Sequence, residues 1–140
     1  MELNSIDAER ACTKLILGFA YHLDHRHFAE VAALFTEDGT FDRPGMLAKG
    51  REEIAALWHG RPEAFITRHV CGPPFFTLIS AEEVCATTYF MLYQAEHAGA
   101  GFPDQTRVAA VAEYLDCFRR EGGSWKFASR KVAVGFLAKD

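Results

Sequence analysis

No stretch of this 140-residue chain stays apolar for the ~18 residues that a membrane-crossing helix requires. No hydrophobic run of signal-peptide type stands near its start either. Both absences lead to the expectation of a cytoplasmic protein with no membrane partner. Charge of one sign is scarce: Lys and Arg number 15 against 19 Asp and Glu, a net charge of −4. The basic residues are scattered, which excludes the electrostatic footprint of a nucleic-acid binder. Cysteines are few, four in all. Cys12, Cys71, Cys85 and Cys117 show no C-x-x-C spacing and lie in apolar surroundings, so they are read as reduced core thiols, with neither disulfides nor metal ligation expected. Repeats, low-complexity tracts and linkers are missing too. Hydrophobic residues are abundant, at 49% of the chain against 24% charged. That suffices for one globular domain, residues 1–140, with a single core.

At ~100° per residue, Cys12, Leu15, Ile16, Phe19, Ala20 and Leu23 make one broad apolar sector, with Lys14, Gly18 and His22 on the other side. This predicts an amphipathic helix over residues 6–23. Asp24 closes it at the sector's edge, beside Leu17. An ionised carboxylate aimed at a core is costly unless something pairs with it. The polar run Asp24-His25-Arg26-His27 then breaks the chain before a second helix, where Phe28, Val31, Ala32, Leu34 and Phe35 are spaced for a buried face and Glu37-Asp38-Gly39 supplies the stop. Residues 40–43 are expected as a short strand closed by Pro44-Gly45, and residues 51–59 as a third helix. From residue 64 the period changes. Strands are expected over 65–71, 75–79, 84–94, 107–120 and 124–137, with a loop over 98–103 and a hairpin turn at Glu121-Gly122-Gly123. Helices followed by long antiparallel strands make an α+β fold, one sheet with its helices gathered on one face.

A strongly curved sheet closed by helices is a cone with a hollow interior, a place for small ligands. Its strands carry Phe65, Phe75, Phe76, Tyr89, Phe90, Tyr93, Tyr114, Phe118, Trp125, Phe127 and Phe136. Alternation sends about half of these inside and half outside. Most are ordinary core or interface residues; two or three are expected to line a pocket. His22, His25 and His27 flank Asp24, but a cluster at one helix end needs a further ligand from elsewhere to hold a metal. A solvated helix end is the expectation there, and no metal.

Several runs, taken in order, carry a family resemblance: Asp24-x-x-x-Phe28, Leu34-Phe35-Thr36-Glu37-Asp38, Gly50-Arg51-x-x-Ile54, Thr67-Arg68-His69 and Gly123-Ser124-Trp125-Lys126-Phe127. Across nearly the whole chain this pattern resembles the SnoaL-like branch of the nuclear transport factor 2 superfamily. It is most similar there to the scytalone dehydratase, hexachlorocyclohexane dehydrochlorinase and bile-acid 7α-dehydratase families. The resemblance implies a cone-shaped α+β barrel and a lyase or isomerase without cofactor, working on a small, largely apolar cyclic molecule. It implies that Asp24 is the family aspartate and His69 the family histidine. It also puts Arg130 where the dehydrochlorinase-type pattern has an arginine facing the cavity, and it implies a homodimer or homotrimer. Gln94 stands where scytalone dehydratase has a second histidine, so the same substrate is not expected.

The chemistry asks for this pairing. A buried aspartate bonded to one imidazole nitrogen fixes the tautomer and stabilises the imidazolium formed on proton abstraction. His69 as base, Asp24 as its orienting acid and Arg130 as stabiliser of an enolate or departing anion form the expected catalytic set. Arg130 is equally readable as a surface strand residue, and Asp24 with His69 as a structural pair. Tyr21, one helical turn before Asp24, is a candidate donor to it or to substrate, or a solvated tyrosine. With Phe90, Leu92, Gln94 and Tyr114 it makes up the expected substrate-binding set. The geometric expectation is a His69 ring nitrogen within ~3.2 Å of an Asp24 oxygen, both lining a closed pocket. A non-catalytic binding or interaction module on the same fold is the alternative.

Overall fold

The computed structural model describes residues 5–97, 99–103 and 107–139. Three helices, α1 (Ser5–Asp24), α2 (Phe28–Ala33) and α3 (Gly50–Ala56), accompany seven strands. These are β1 (Phe35–Arg43), β2 (Met46–Lys49), β3 (Phe65–Cys71), β4 (Phe75–Ile79), β5 (Glu83–Glu96), β6 (Ala110–Glu121) and β7 (Ser124–Leu137). The strands form one curved sheet ordered β2-β1-β7-β6-β5-β3, with β4 also paired to β5. All pairings are antiparallel except β1 with β7. The α+β architecture with N-terminal helices against the sheet is the one read from the sequence.

The long axis of the core is α1. Its apolar sector buries Ala8, Cys12, Ile16, Phe19, Ala20 and Leu23. Phe19 is the hub, stacked on Phe41 at 5.5 Å and edge-on to Phe35, Trp58, Tyr114 and Phe127 at 5.9–6.2 Å. Burying one such ring contributes on the order of 2–3 kcal/mol by area, so α1 is held by packing rather than by helix propensity.

Strand parity sets what faces α1. Across the register, Cys71–Phe90–Ala112–Val134 and His69–Leu92–Ala110 run along the inner face, as do Thr88–Tyr114–Val132 and Ala86–Asp116–Arg130–Phe41. The β6–β7 hairpin closes through Gly122 and Gly123, whose φ values of 61° and 83° suit the two-residue turn expected there.

Four expectations need correction. The second helix ends at Ala33 because Phe35 is drawn into the sheet beside Phe127, with Phe127 N donating to Leu34 O at 2.9 Å. Glu37-Asp38-Gly39 is therefore no helix stop but an irregularity inside β1, where a Cβ on Gly39 would come within 3.1 Å of Phe127 O and Thr36 O. β2, unexpected from the sequence, pairs back on β1. β6 begins at Ala110 rather than at residue 107, and Ala98 of the expected loop lies outside the described residues.

The fourth correction concerns Cys85 and Cys117, which are joined as a disulfide. Thirty-two residues apart in sequence, they are directly opposed in the β5–β6 register, with Cα atoms 4.1 Å apart. Cys12 and Cys71 are free. The expectation of four reduced core thiols is thereby overturned for this pair. Among the described residues no helix is long and apolar enough to cross a membrane.

Candidate active site

Asp24 is the last residue of α1, and its carboxylate is spent on β3. Its Oδ1 accepts from His69 Nδ1 at 2.6 Å and from Thr67 Oγ1 at 2.9 Å, and its Oδ2 accepts from the His69 backbone N–H at 2.8 Å. Thr67 and His69 are two apart on β3 and so point to one face, while Arg68 and Val70 between and beyond them are exposed. The side chains of His69 and Asp24 are only 8% and 7% exposed. A carboxylate can only accept, so Nδ1 carries a proton, and in the neutral ring the lone pair is the one at Nε2. Burial pushes the Asp24 carboxyl up, but the hydrogen bond and charge of His69 and the bond from Thr67 outweigh it, leaving the group below the ordinary carboxylate range.

His69 lines a cavity of about 930 Å³, large enough for a multi-ring molecule. Its walls are mostly apolar, with Phe19, Phe41, Trp58, Phe65, Phe90 and Tyr114 supplying the aromatic surface. Of the strand aromatics considered from the sequence, three therefore reach it: Phe65, Phe90 and Tyr114. Leu92 and Gln94 line it too. Four of the five expected substrate-binding residues thus share one wall, because Phe90, Leu92 and Gln94 alternate inward along β5 and Tyr114 faces the same way from β6. Phe90 and Tyr114 are stacked at 4.0 Å, and the Phe90 ring lies 5.9 Å from His69. Burial pushes the Tyr114 hydroxyl well above its usual pKa.

Tyr21 is the exception. It is 55% exposed, stacks on His25 at 4.3 Å and does not line the cavity. The 100° step from residue 20 carries it off the buried sector, so its role as a donor to substrate is set aside. Asp24 does not line the cavity either, contrary to expectation; it stands behind the imidazole and meets the chamber through His69 and Thr67.

Arg130 also departs from expectation. Its parity is inward, but its guanidinium turns to Asp116, with Nε to Oδ1 at 2.8 Å and Nη2 to Oδ2 at 3.1 Å, both side chains at 0% exposure. Tyr114, Phe127 and Phe19 sandwich it, with the guanidinium carbon 3.5, 4.5 and 4.4 Å from their ring centroids. Nη1 has no hydrogen-bond partner. Arg130 is thus not a cavity residue; it sits behind Tyr114. Burial pushes the Asp116 carboxyl up and the guanidinium opposes it. The hairpin turn carried no signal for this pair: counting outward from Gly122-Gly123 sets residue 116 opposite 129, and only a register shift between Cys117 and Phe118 brings Asp116 to Arg130.

Sequence reasoning also passed over Arg43 and Arg61, both on the cavity wall. Arg61 Nη1 reaches Thr67 Oγ1 at 3.4 Å, and Arg26 clamps the loop beneath it by donating to Arg61 O at 2.8 Å and Pro62 O at 3.1 Å. Burial and the nearby cations Arg26 and Arg43 lower the Arg61 pKa, with Asp24 acting the other way. Among the described residues, the group with metal-ligating spacing is Glu83, Cys85 and Cys117, whose sulfurs are joined to each other. His22 and His27 meet at Nδ1–Nδ1 3.2 Å on the surface, without a third ligand of that set.

The family described as SnoaL-like domain matches residues 4–131. A comparison with curated proteins returns no significant match. Among solved structures, a candidate scytalone dehydratase from Novosphingobium aromaticivorans is 23% identical with a TM-score of 0.81, covering 96% of this chain and 88% of its own. A hexachlorocyclohexane dehydrochlorinase, LinA type 2, is 16% identical with a TM-score of 0.78, covering 96% and 89%. ActVI-ORFA from Streptomyces coelicolor is 26% identical with a TM-score of 0.73, covering 89% and 95%.

Proposed function

The chain belongs to the SnoaL-like family, and from that membership and the imidazole on the cavity wall we propose that it is a lyase or isomerase that needs no cofactor and works by proton abstraction. The substrate is a small cyclic, largely apolar molecule. Nε2 of His69 takes a proton from a carbon next to an activating group, and the C–H electron pair moves toward that group. A hydroxyl or halide then leaves with its own bonding pair as the double bond forms, or the proton returns at another carbon. In a dehydration His69 hands its proton to the departing oxygen, so water is the net product. Asp24 holds the Nδ1–H tautomer throughout and stabilises the imidazolium. The observation carrying this reading is the 2.6 Å bond between His69 Nδ1 and Asp24 Oδ1, behind a chamber that His69 itself lines. A dehydratase-like and a dehydrochlorinase neighbour agree with it at the level of fold.

One observation favours a second reading, a binding module without turnover: the arginine expected to stabilise developing charge is locked to Asp116. The decisive experiment screens hydroxylated and halogenated cyclic compounds for loss of water or acid, then repeats the assay with His69→Gln. Turnover should fall by at least ~10³-fold with folding and ligand affinity nearly intact. A variant that keeps its rate removes the proton-abstraction reading and leaves the binding module.

A further inference from the structure

Resting on the reading of this chamber as the substrate site, we propose that its mouth is an anion subsite, in which Arg43 and Arg61 hold a carboxylate or other singly charged oxyanion while the apolar body of the same molecule reaches His69. The two arginines come from separate elements. Arg43 ends β1 beside Pro44-Gly45, and Arg61 lies between α3 and β3 beside Gly60 and Pro62; all six residues line the cavity.

Among the described residues neither guanidinium forms an ion pair with an acid. The four ion pairs among the described residues are Arg51–Glu121, His69–Asp24, Arg119–Asp38 and Arg130–Asp116. Among the described residues the hydrogen-bond contacts of these two guanidinium groups are Arg61 to Thr67 Oγ1 at 3.4 Å and Arg43 to Met46 Sδ at 3.7 Å. Both are long contacts to neutral atoms. Asp24 already accepts three bonds, and Glu96, the one acidic lining residue, is at the exposed end of β5. Arg26 adds a third cation beneath Arg61 without lining the cavity.

Cations gathered on an apolar wall and not paired with acids are unfavourable unless an anion arrives, and the guanidinium fork matches an oxyanion's two oxygens. The Arg61 guanidinium is steadied over the Phe65 ring at 5.4 Å and the Phe28 ring at 5.9 Å. The distance to the chemistry is short. Contacts of 3.4, 2.9 and 2.6 Å link Arg61 through Thr67 and Asp24 to the His69 ring. Anchor and base thus share one wall of the cavity, joined by a short run of side chains, and the substrate class becomes a cyclic acid rather than a neutral ring.

The test uses a matched pair of fluorescent probes, 8-anilino-1-naphthalenesulfonate and its uncharged analogue N-phenyl-1-naphthylamine. The sulfonate should displace the amine, bind more tightly and weaken with added salt. Arg43→Gln/Arg61→Gln should weaken the sulfonate by about tenfold and the amine by less than about twofold, the selectivity expected when charge-assisted bonds are lost. Arg43→Gln alone removes no bond the fold depends on, and should weaken the sulfonate by about threefold, as for one exposed charge. Equal losses for both probes, no loss for the sulfonate in either variant, or failure to displace the amine each overturn the subsite. Because the assay needs no turnover, a fully active His69→Gln enzyme would remove the proposed reaction and leave this result untouched.

Discussion

At Asp24 a single carboxylate does three jobs: it closes α1, ties that helix to β3, and sets the proton on His69. Its folded-state pKa lies below its unfolded one. The unfolded chain therefore binds more protons in the window between them, and stability rises with pH there. Asp24's contribution is complete above about pH 3.9, the ordinary aspartate value, and is lost as pH falls through the lower folded value. Asp24→Asn should accordingly have a lower urea midpoint than the parent at pH 7, and the gap should narrow steadily as the solution is taken below about pH 4. A gap independent of pH would mean that the carboxylate is not held by these bonds. The need for a partner was readable from an acid at the edge of an apolar helix face, and His69 as that partner was implied by the family resemblance. Its support from Thr67 was not, since a threonine two residues from a histidine on a strand is common and acquires meaning only when α1 is laid against that face.

At the scale of elements, β6 and β7 carry the buried Asp116–Arg130 pair across one register position. A buried pair gives little net stability, yet removing one partner strands the other charge in the core. Arg130→Met should therefore cost about 3–5 kcal/mol in denaturant unfolding, and Asp116→Leu with Arg130→Met should recover most of it. If the double variant is no better than the single one, the pair is holding the hairpin in a way that apolar packing does not replace. The hairpin itself was legible from Gly122-Gly123. The destination of Arg130 was not, because strand parity says which face a side chain leaves from and nothing about which neighbour its four flexible bonds reach. The early end of α2 has a similar origin: Phe28 to Phe35 has helical spacing, but a parallel pairing to Phe127, 92 positions away, wins over the local pattern.

For the whole molecule the outer sheet face is the unspent feature. Phe75, Tyr89 and Phe136 are 74%, 69% and 73% exposed, with Val70, Met91 and Leu115 partly so. Their register places Val70 against Met91, and Met91 and Val111 in line with Phe136. A row of exposed apolar side chains of this kind is where a partner surface fits. As part of the functional proposal, sedimentation equilibrium should give twice or three times the 15.6 kDa chain mass, and Tyr89→Glu with Met91→Glu should shift it toward one. A monomeric parent would leave that face without the expected partner.

Local sequence determined the elements whose signals repeat along the chain: the amphipathic period of α1, the alternation of β3 to β7, the glycine turn, and with them the α+β class and the shared face of Phe90, Leu92 and Gln94. Those signals are short-range, since each residue's neighbours on the same helix face or strand face are a fixed few positions away. The tertiary structure alone decided what meets across the chamber. Arg130 was claimed by Asp116, Tyr21 was left outside, Cys85 was set against Cys117, and Arg43 and Arg61 were brought to one rim. Each of these outcomes depends on how a curved sheet closes over one helix, a competition among distant partners that no local pattern encodes.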